Sequence, residues 1–214
     1  MKKYNITYSN EHNFIWYRTA KCGTRTVLQY IKDSGASSTS RYKMQYQSNW
    51  NDYFQFTFVR NPWERLVSVY FSKFGKLKIS PIKNTRDLRL FLRERSSFMH
   101  QLKFKRVPTF AQFVRQLQKP KMLRRNPHWA PLCSLIRFEN LDFIGRMENF
   151  EQDLKYITRK SHLKKTTIQH INRCKYKKHY SEFYNENLKN IVSRLYKHDI
   201  YHFNYKFEKE FDQK

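Results

Sequence analysis

The chain has 214 residues, with 43 lysines and arginines against 17 aspartates and glutamates, a formal net charge of +26 and a mean hydropathy of −0.89. Richness in Phe and Tyr with only 4 Gly and 6 Pro suits a packed globule better than a disordered basic tail. No run of some twenty apolar residues is present to span a membrane, and the three cysteines, Cys22, Cys133 and Cys174, are an odd number that excludes a fully paired disulfide framework.

The length fits a single domain, residues 1–214, with 86–125 as a helical insertion or substrate-side subregion. Short aromatic and β-branched runs at His12–Tyr17 and Tyr53–Val59 predict buried strands, and each precedes a helical pattern, Thr24–Ile31 and Trp63–Phe74. Asn61 is a predicted N-cap with Pro62 at the first helical position, so Arg60 sits at the strand-to-helix turn. Asp33–Ser40 reads as a loop, and Gly75–Thr85 as the close of one helix and the start of another. Asp87–Arg125 carries a basic helical pattern interrupted by the polar turn Lys103–Thr109. Pro127 and Pro131 break the chain around His128-Trp129, Leu141–Gly145 reads as a further strand, and helices are expected over Met147–Arg159 and Tyr180–Lys197. The alternation predicts an α/β fold with a central, mostly parallel sheet flanked by helices.

The first strand ends in Lys21-Cys22-Gly23-Thr24-Arg25-Thr26. A cation, a glycine and two hydroxyls entering a helix suit one phosphate-like group. The lysine precedes a lone glycine, which is not the order of an NTPase phosphate loop. In this position its ammonium is suited to an oxygen bridging two tetrahedral centres, where charge builds as a group departs. The second strand delivers Arg60, a planar fork of donors, followed two helical turns later by Ser68. Together they read as a clamp for a second dianion, and Arg65 reads as structural or as an outer electrostatic contact. Two anion sites point to a doubly phosphorylated ligand.

These residues resemble the sulfotransferase family 2 carbohydrate sulfotransferases, the branch of the chondroitin 4-O and HNK-1 type enzymes with bacterial relatives. Four blocks carry the resemblance. They are Ala20-Lys21-Cys22-Gly23-Thr24; Phe58-Val59-Arg60-Asn61-Pro62-Trp63-Glu64-Arg65-Leu66-Val67-Ser68-Val69-Tyr70; Asn126-Pro127-His128-Trp129-Ala130-Pro131 leading through Phe143-Ile144-Gly145-Arg146-Met147-Glu148 to Asp153; and Tyr196 and Asp199 with Phe203 and Tyr205. The second block is the most specific. The chain departs from the commoner loop at Ala20, where many members carry Pro, and at Arg25, where relatives acting on small substrates often carry Thr.

The resemblance implies the P-loop-like sulfotransferase fold and the donor 3′-phosphoadenosine 5′-phosphosulfate, with 3′-phosphoadenosine 5′-phosphate as product. Lys21, Cys22, Gly23, Thr24, Arg25 and Thr26 match the 5′-phosphosulfate loop, and Arg60 and Ser68 the 3′-phosphate pair. Asn172-Arg173 is a candidate to complete the 3′-phosphate or adenine site. In-line sulfuryl transfer to an acceptor hydroxyl needs a base but chemically no metal. His128, in a proline-framed loop with a side chain that titrates near neutrality, is the first candidate, ahead of Glu139, Glu148 and His100. Cys174 with His170 and His179 lacks the ligand set and spacing of a zinc site.

The expected partner is a carbohydrate, and the charge favours an anionic glycan. No nucleic acid and no stable membrane insertion are expected, and the oligomeric state is not legible. Two rival readings are a basic single-stranded nucleic-acid binding module, supported by charge and aromatic content, and a nucleotide-dependent phosphoryl transferase, which lacks its Lys-Ser/Thr pair and acidic magnesium cluster. Met1-Lys2-Lys3 leads into polar residues rather than an apolar signal segment, so the cytoplasm is the expected location, or the Golgi lumen if the chain is trimmed from a longer protein.

Overall fold

A computed structural model describes residues 3–45, 48–75, 85–169 and 178–208. The elements in chain order are β1 (Lys3–Ser9), β2 (Phe14–Tyr17), α1 (Thr24–Asp33), β3 (Thr39–Gln45), β4 (Phe54–Val59), α2 (Pro62–Phe74), α3 (Thr85–Gln101), α4 (Phe110–Leu117), β5 (Phe143–Arg146), α5 (Phe150–Lys160), α6 (Glu186–Leu195) and α7 (Lys197–Phe203). The chain divides into two compact units. One comprises Met1–Arg60 with Leu132–Ile171, the other Asn61–Pro131 with Asn172–Lys214.

The first unit holds a five-stranded mixed sheet in the order β3-β1-β2-β4-β5. β2 pairs parallel with β4 and β4 parallel with β5, whereas β1 pairs antiparallel with both β2 and β3. The expected parallel sheet is thus the part built by β2, β4 and β5, and two antiparallel strands extend it at one edge. β2 is buried at all its residues and β4 at all but its first; β2 is apolar throughout, as a strand covered on both faces requires, whereas β4 alternates and satisfies its buried Gln55 and Thr57 through hydrogen bonds with Tyr17. Trp16 stacks on Phe56 across the parallel pair, with ring centroids 6.2 Å apart. Phe58 meets Phe150 of α5 at 5.1 Å. Gly145 leaves room for the Phe58 ring, which a Cβ there would approach to 2.6 Å.

The second unit is helical. Asn61 caps α2, its side chain accepting from the Trp63 N–H at 3.1 Å, with Pro62 in the first helical position as the sequence predicts. Its Nδ2 donates to the Lys206 carbonyl at 2.9 Å, tying the cap to the C-terminal segment. Thr109 opens α4 with a capping box completed by Gln112. Tyr70, Phe74, Phe110 and Phe113 form one aromatic cluster between α2 and α4.

Several boundaries differ from the sequence reading. Helix does not continue to Arg125, because α4 stops at Leu117 and Lys119 precedes Pro120, which disfavours helical geometry at that residue. The last long helix starts at Glu186 rather than Tyr180, since Asn185 caps it through the Leu188 N–H at 2.9 Å. The segment read as a loop from Asp33 yields at Thr39 to β3, whose residues 40–43 are all exposed. Among the described residues no helix is long and apolar enough to cross a membrane.

Candidate active site

In the first unit the carboxyl end of β2 runs through Arg18 and Thr19 into the Lys21–Thr26 turn, and α1 starts at Thr24. Ligands of parallel α/β sheets gather at such strand ends. Gly23 is the N-cap of α1, in the left-handed region at φ 70°, and makes no side-chain cap. The first turn of α1 holds no acidic residue of its own to compete for its main-chain donors and partial positive charge.

The turn is tied down at several points. The Thr19 hydroxyl donates to the Phe58 carbonyl of β4, and the Thr24 hydroxyl donates back to the Thr19 carbonyl at 2.8 Å. The Cys22 thiol is buried, with Sγ 3.7 Å from the Ala20 carbonyl. Lys21 takes φ 71°, a left-handed conformation that costs a residue with a Cβ about 1–2 kcal/mol, and its carbonyl accepts from Arg60 Nη1 at 3.4 Å.

The structure therefore brings Arg60 and the Lys21 turn together at neighbouring strand ends. Within the turn it separates roles that the sequence treats alike. The Thr24 proton is directed inward, the Cys22 and Thr26 side chains are buried, and Arg25 is exposed. Lys21 and Arg25 are the cations of the turn. Gly23 is also required by packing, since a Cβ would lie 2.9 Å from the Phe150 ring and 3.1 Å from Met147 Sδ.

Ser68 and His128 belong to the second unit. Ser68 is buried on α2. His128 is half-buried in the Asn126–Pro131 loop. Asn126 organises this loop: its Nδ2 donates to Gln101 Oε1 at 2.8 Å, while its Oδ1 accepts from the His128 N–H at 2.9 Å and lies 2.8 Å from His128 Nδ1. An oxygen acceptor facing Nδ1 requires the proton there, so the neutral imidazole carries its basic lone pair on Nε2.

The carbonyls around His128 are held by side chains remote in sequence. Arg65, fully buried, donates to Ala130 at 2.8 Å and to Pro127 at 3.1 Å, while the Tyr196 hydroxyl donates to Trp129. The Trp129 indole N–H reaches the Met122 carbonyl at 2.9 Å. Burial raises the Tyr196 phenol well above its ordinary range, with Asp199 adding to the rise and Arg65 opposing it, so it stays a donor. Arg65 is thus structural, as its sequence position suggests. Trp129 is a core residue.

Thr19, Asn126 and the hydrogen-bonding role of Tyr196 were not singled out by sequence reasoning. The available signals were a hydroxyl at a buried strand end, an Asn-Pro pair ahead of the histidine, and a tyrosine in a helical tail. Asn172, Arg173, Cys174 and His170 lie outside the described residues. Among the described residues no group of three or more His, Cys, Asp or Glu side chains is placed to hold a metal ion.

The sulfotransferase family model matches residues 4–206. Carbohydrate sulfotransferase 14 of Danio rerio is 29% identical over 175 residues, 72% of this chain and 47% of that protein. The Homo sapiens carbohydrate sulfotransferase 14 is 31% identical over 139 residues, 64% of this chain and 34% of the relative. Carbohydrate sulfotransferase 11 of Rattus norvegicus is 31% identical over 113 residues, covering 50% and 32%. The chain thus spans about half the length of the Danio rerio protein and about a third of the other two. No solved structure matches it. With a match running through nearly every described element, from β1 to the segment beyond α7, the chain belongs to the sulfotransferase family.

Proposed function

We propose that this protein transfers the sulfuryl group of 3′-phosphoadenosine 5′-phosphosulfate to a hydroxyl of a carbohydrate by in-line displacement. The observation that carries the reading is the Lys21–Thr26 turn at the head of α1, devoid of acidic residues and lying beside Arg60. Family membership and the carbohydrate sulfotransferase names of the relatives support the chemistry and the acceptor class. The donor set fits the nucleotide: main-chain N–H groups with Lys21 and Arg25 suit the 5′-phosphosulfate, and Arg60, with Ser68 by motif, suits the 3′-phosphate.

When bound, the nucleotide supplies the sulfuryl group and a phosphate leaving group. Lys21 stabilises the negative charge that grows on the bridging oxygen, where an ammonium gains most in a site shielded from water. His128 accepts the acceptor's proton at Nε2, and Asn126 keeps the other ring nitrogen protonated. The net charge of +26 favours an acceptor bearing carboxylates or sulfates, because opposite fields speed the encounter.

Calorimetric titration with 3′-phosphoadenosine 5′-phosphate, ATP and 5′-AMP tests the reading. Wild type is expected to prefer the bisphosphate, with micromolar affinity, and Arg60→Ala to bind it at least tenfold more weakly, about 1.4 kcal/mol. Equal affinity for the three nucleotides would overturn the proposal.

A further inference from the structure

We infer that Arg60 is also a positioning residue for Lys21, shaping the 5′-phosphosulfate turn through the main chain whether or not a 3′-phosphate is present. The inference deepens the functional reading above and rests on it for the identity of the two phosphates. Its basis is the way the end of β4 grips the turn. The Phe58 carbonyl takes the Thr19 hydroxyl, and Arg60, two residues later, donates to the Lys21 carbonyl at 3.4 Å. These contacts bracket Ala20 and fix the turn on both sides of it.

What they hold is a conformation that a lysine adopts reluctantly. Lys21 and Gly23 both lie in the left-handed region, at φ 71° and 70°, and glycine accepts this without cost where lysine does not. A residue kept there needs surroundings that over-determine its backbone. On the far side of the turn Met147 and Phe150 fill the space beside Gly23, and Thr24 closes the loop onto Thr19. Arg60 is the cationic member of this set, and its guanidinium donates to the main chain of the residue whose ammonium is proposed to stabilise the leaving group. A charged donor on a carbonyl also makes a stronger hydrogen bond than a neutral one.

Two measurements separate this role from a 3′-phosphate contact alone. In the ligand-free protein, amide hydrogen exchange across residues 18–24 is expected to accelerate at least tenfold in Arg60→Ala, with the thermal midpoint within a few degrees of wild type. Unchanged exchange would overturn the inference, whatever nucleotide the protein binds. In titrations with 5′-AMP, which has no 3′-phosphate, Arg60→Ala is expected to weaken binding about fivefold or more. The Lys21→Ala/Arg60→Ala double variant should lose less than the sum of the two single losses, since part of the arginine's effect is exerted on the placement of the lysine side chain.

Arg60→Lys, which keeps an N–H donor and the charge, should recover at least half of the lost 5′-AMP affinity. Undiminished 5′-AMP binding in Arg60→Ala would confine Arg60 to the 3′-phosphate, and additive losses in the double variant would overturn an action through Lys21. Failure of wild type to prefer 3′-phosphoadenosine 5′-phosphate would instead remove the functional reading while leaving the exchange result standing.

Discussion

Gly23 answers to two constraints, a left-handed backbone and the space taken by Phe150 and Met147. Gly23→Ala should therefore lower stability by about 1–3 kcal/mol, combining backbone strain with overpacking; denaturant unfolding monitored by tryptophan fluorescence would show it, and an unchanged midpoint would contradict it. His128→Ala removes the proposed proton acceptor without touching the turn. Nucleotide affinity should hold while turnover falls about 100-fold or more, and full turnover would place the base elsewhere. The turn ahead of α1 and the place of Arg60 between β4 and α2 were legible from residue type and order. The grip on the His128 loop was not, because Arg65 and Tyr196 bind carbonyls of residues 127, 129 and 130, and every residue type presents the same carbonyl.

At the level of elements, β2 and β4 announced themselves because each is a short run rich in aromatic and β-branched residues ahead of a helical pattern. The edge strand β3 did not: with residues 40–43 all exposed, Thr39–Gln45 needs no apolar side, and only its pairing with β1 makes it a strand. The start of α2 was readable because an N-cap asparagine followed by proline is a local signal. What locality hides is that Asn61 also donates to Lys206, 145 positions along the chain. Asn61→Ala should accordingly cost more than an ordinary cap, which is worth about 1 kcal/mol, because the Lys206 carbonyl also loses its donor. Asn61→Asp keeps the cap acceptor but not the donor, and should fall between wild type and Asn61→Ala in thermal unfolding. Equal midpoints for the two variants would sink this account.

For the molecule as a whole, pH acts through buried phenols. Burial pushes Tyr180 up to about 12, with Glu208 and Glu64 adding to the rise, and the Glu208 N–H and Asn61 bonds to its oxygen opposing it. The folded state thus keeps a proton that the unfolded chain releases near the ordinary value of 10. The stabilisation is complete below pH 10 and is lost as pH climbs through about 12. Urea unfolding at pH 8, 10 and 11 should show a steady stability up to pH 10 and a decline above it, a decline smaller in Tyr180→Phe. An identical alkaline slope in the two proteins would rule Tyr180 out as a source.

The loop around His128 is framed through atoms that all amino acids share. Exchanging the side chains at positions 127 or 130 deletes no acceptor from that frame, whereas altering Arg65 or Tyr196 dismantles it from afar. Libraries built on this loop therefore have room at the exposed position 127, provided Asn126, His128, Trp129 and the two distant anchors are left untouched.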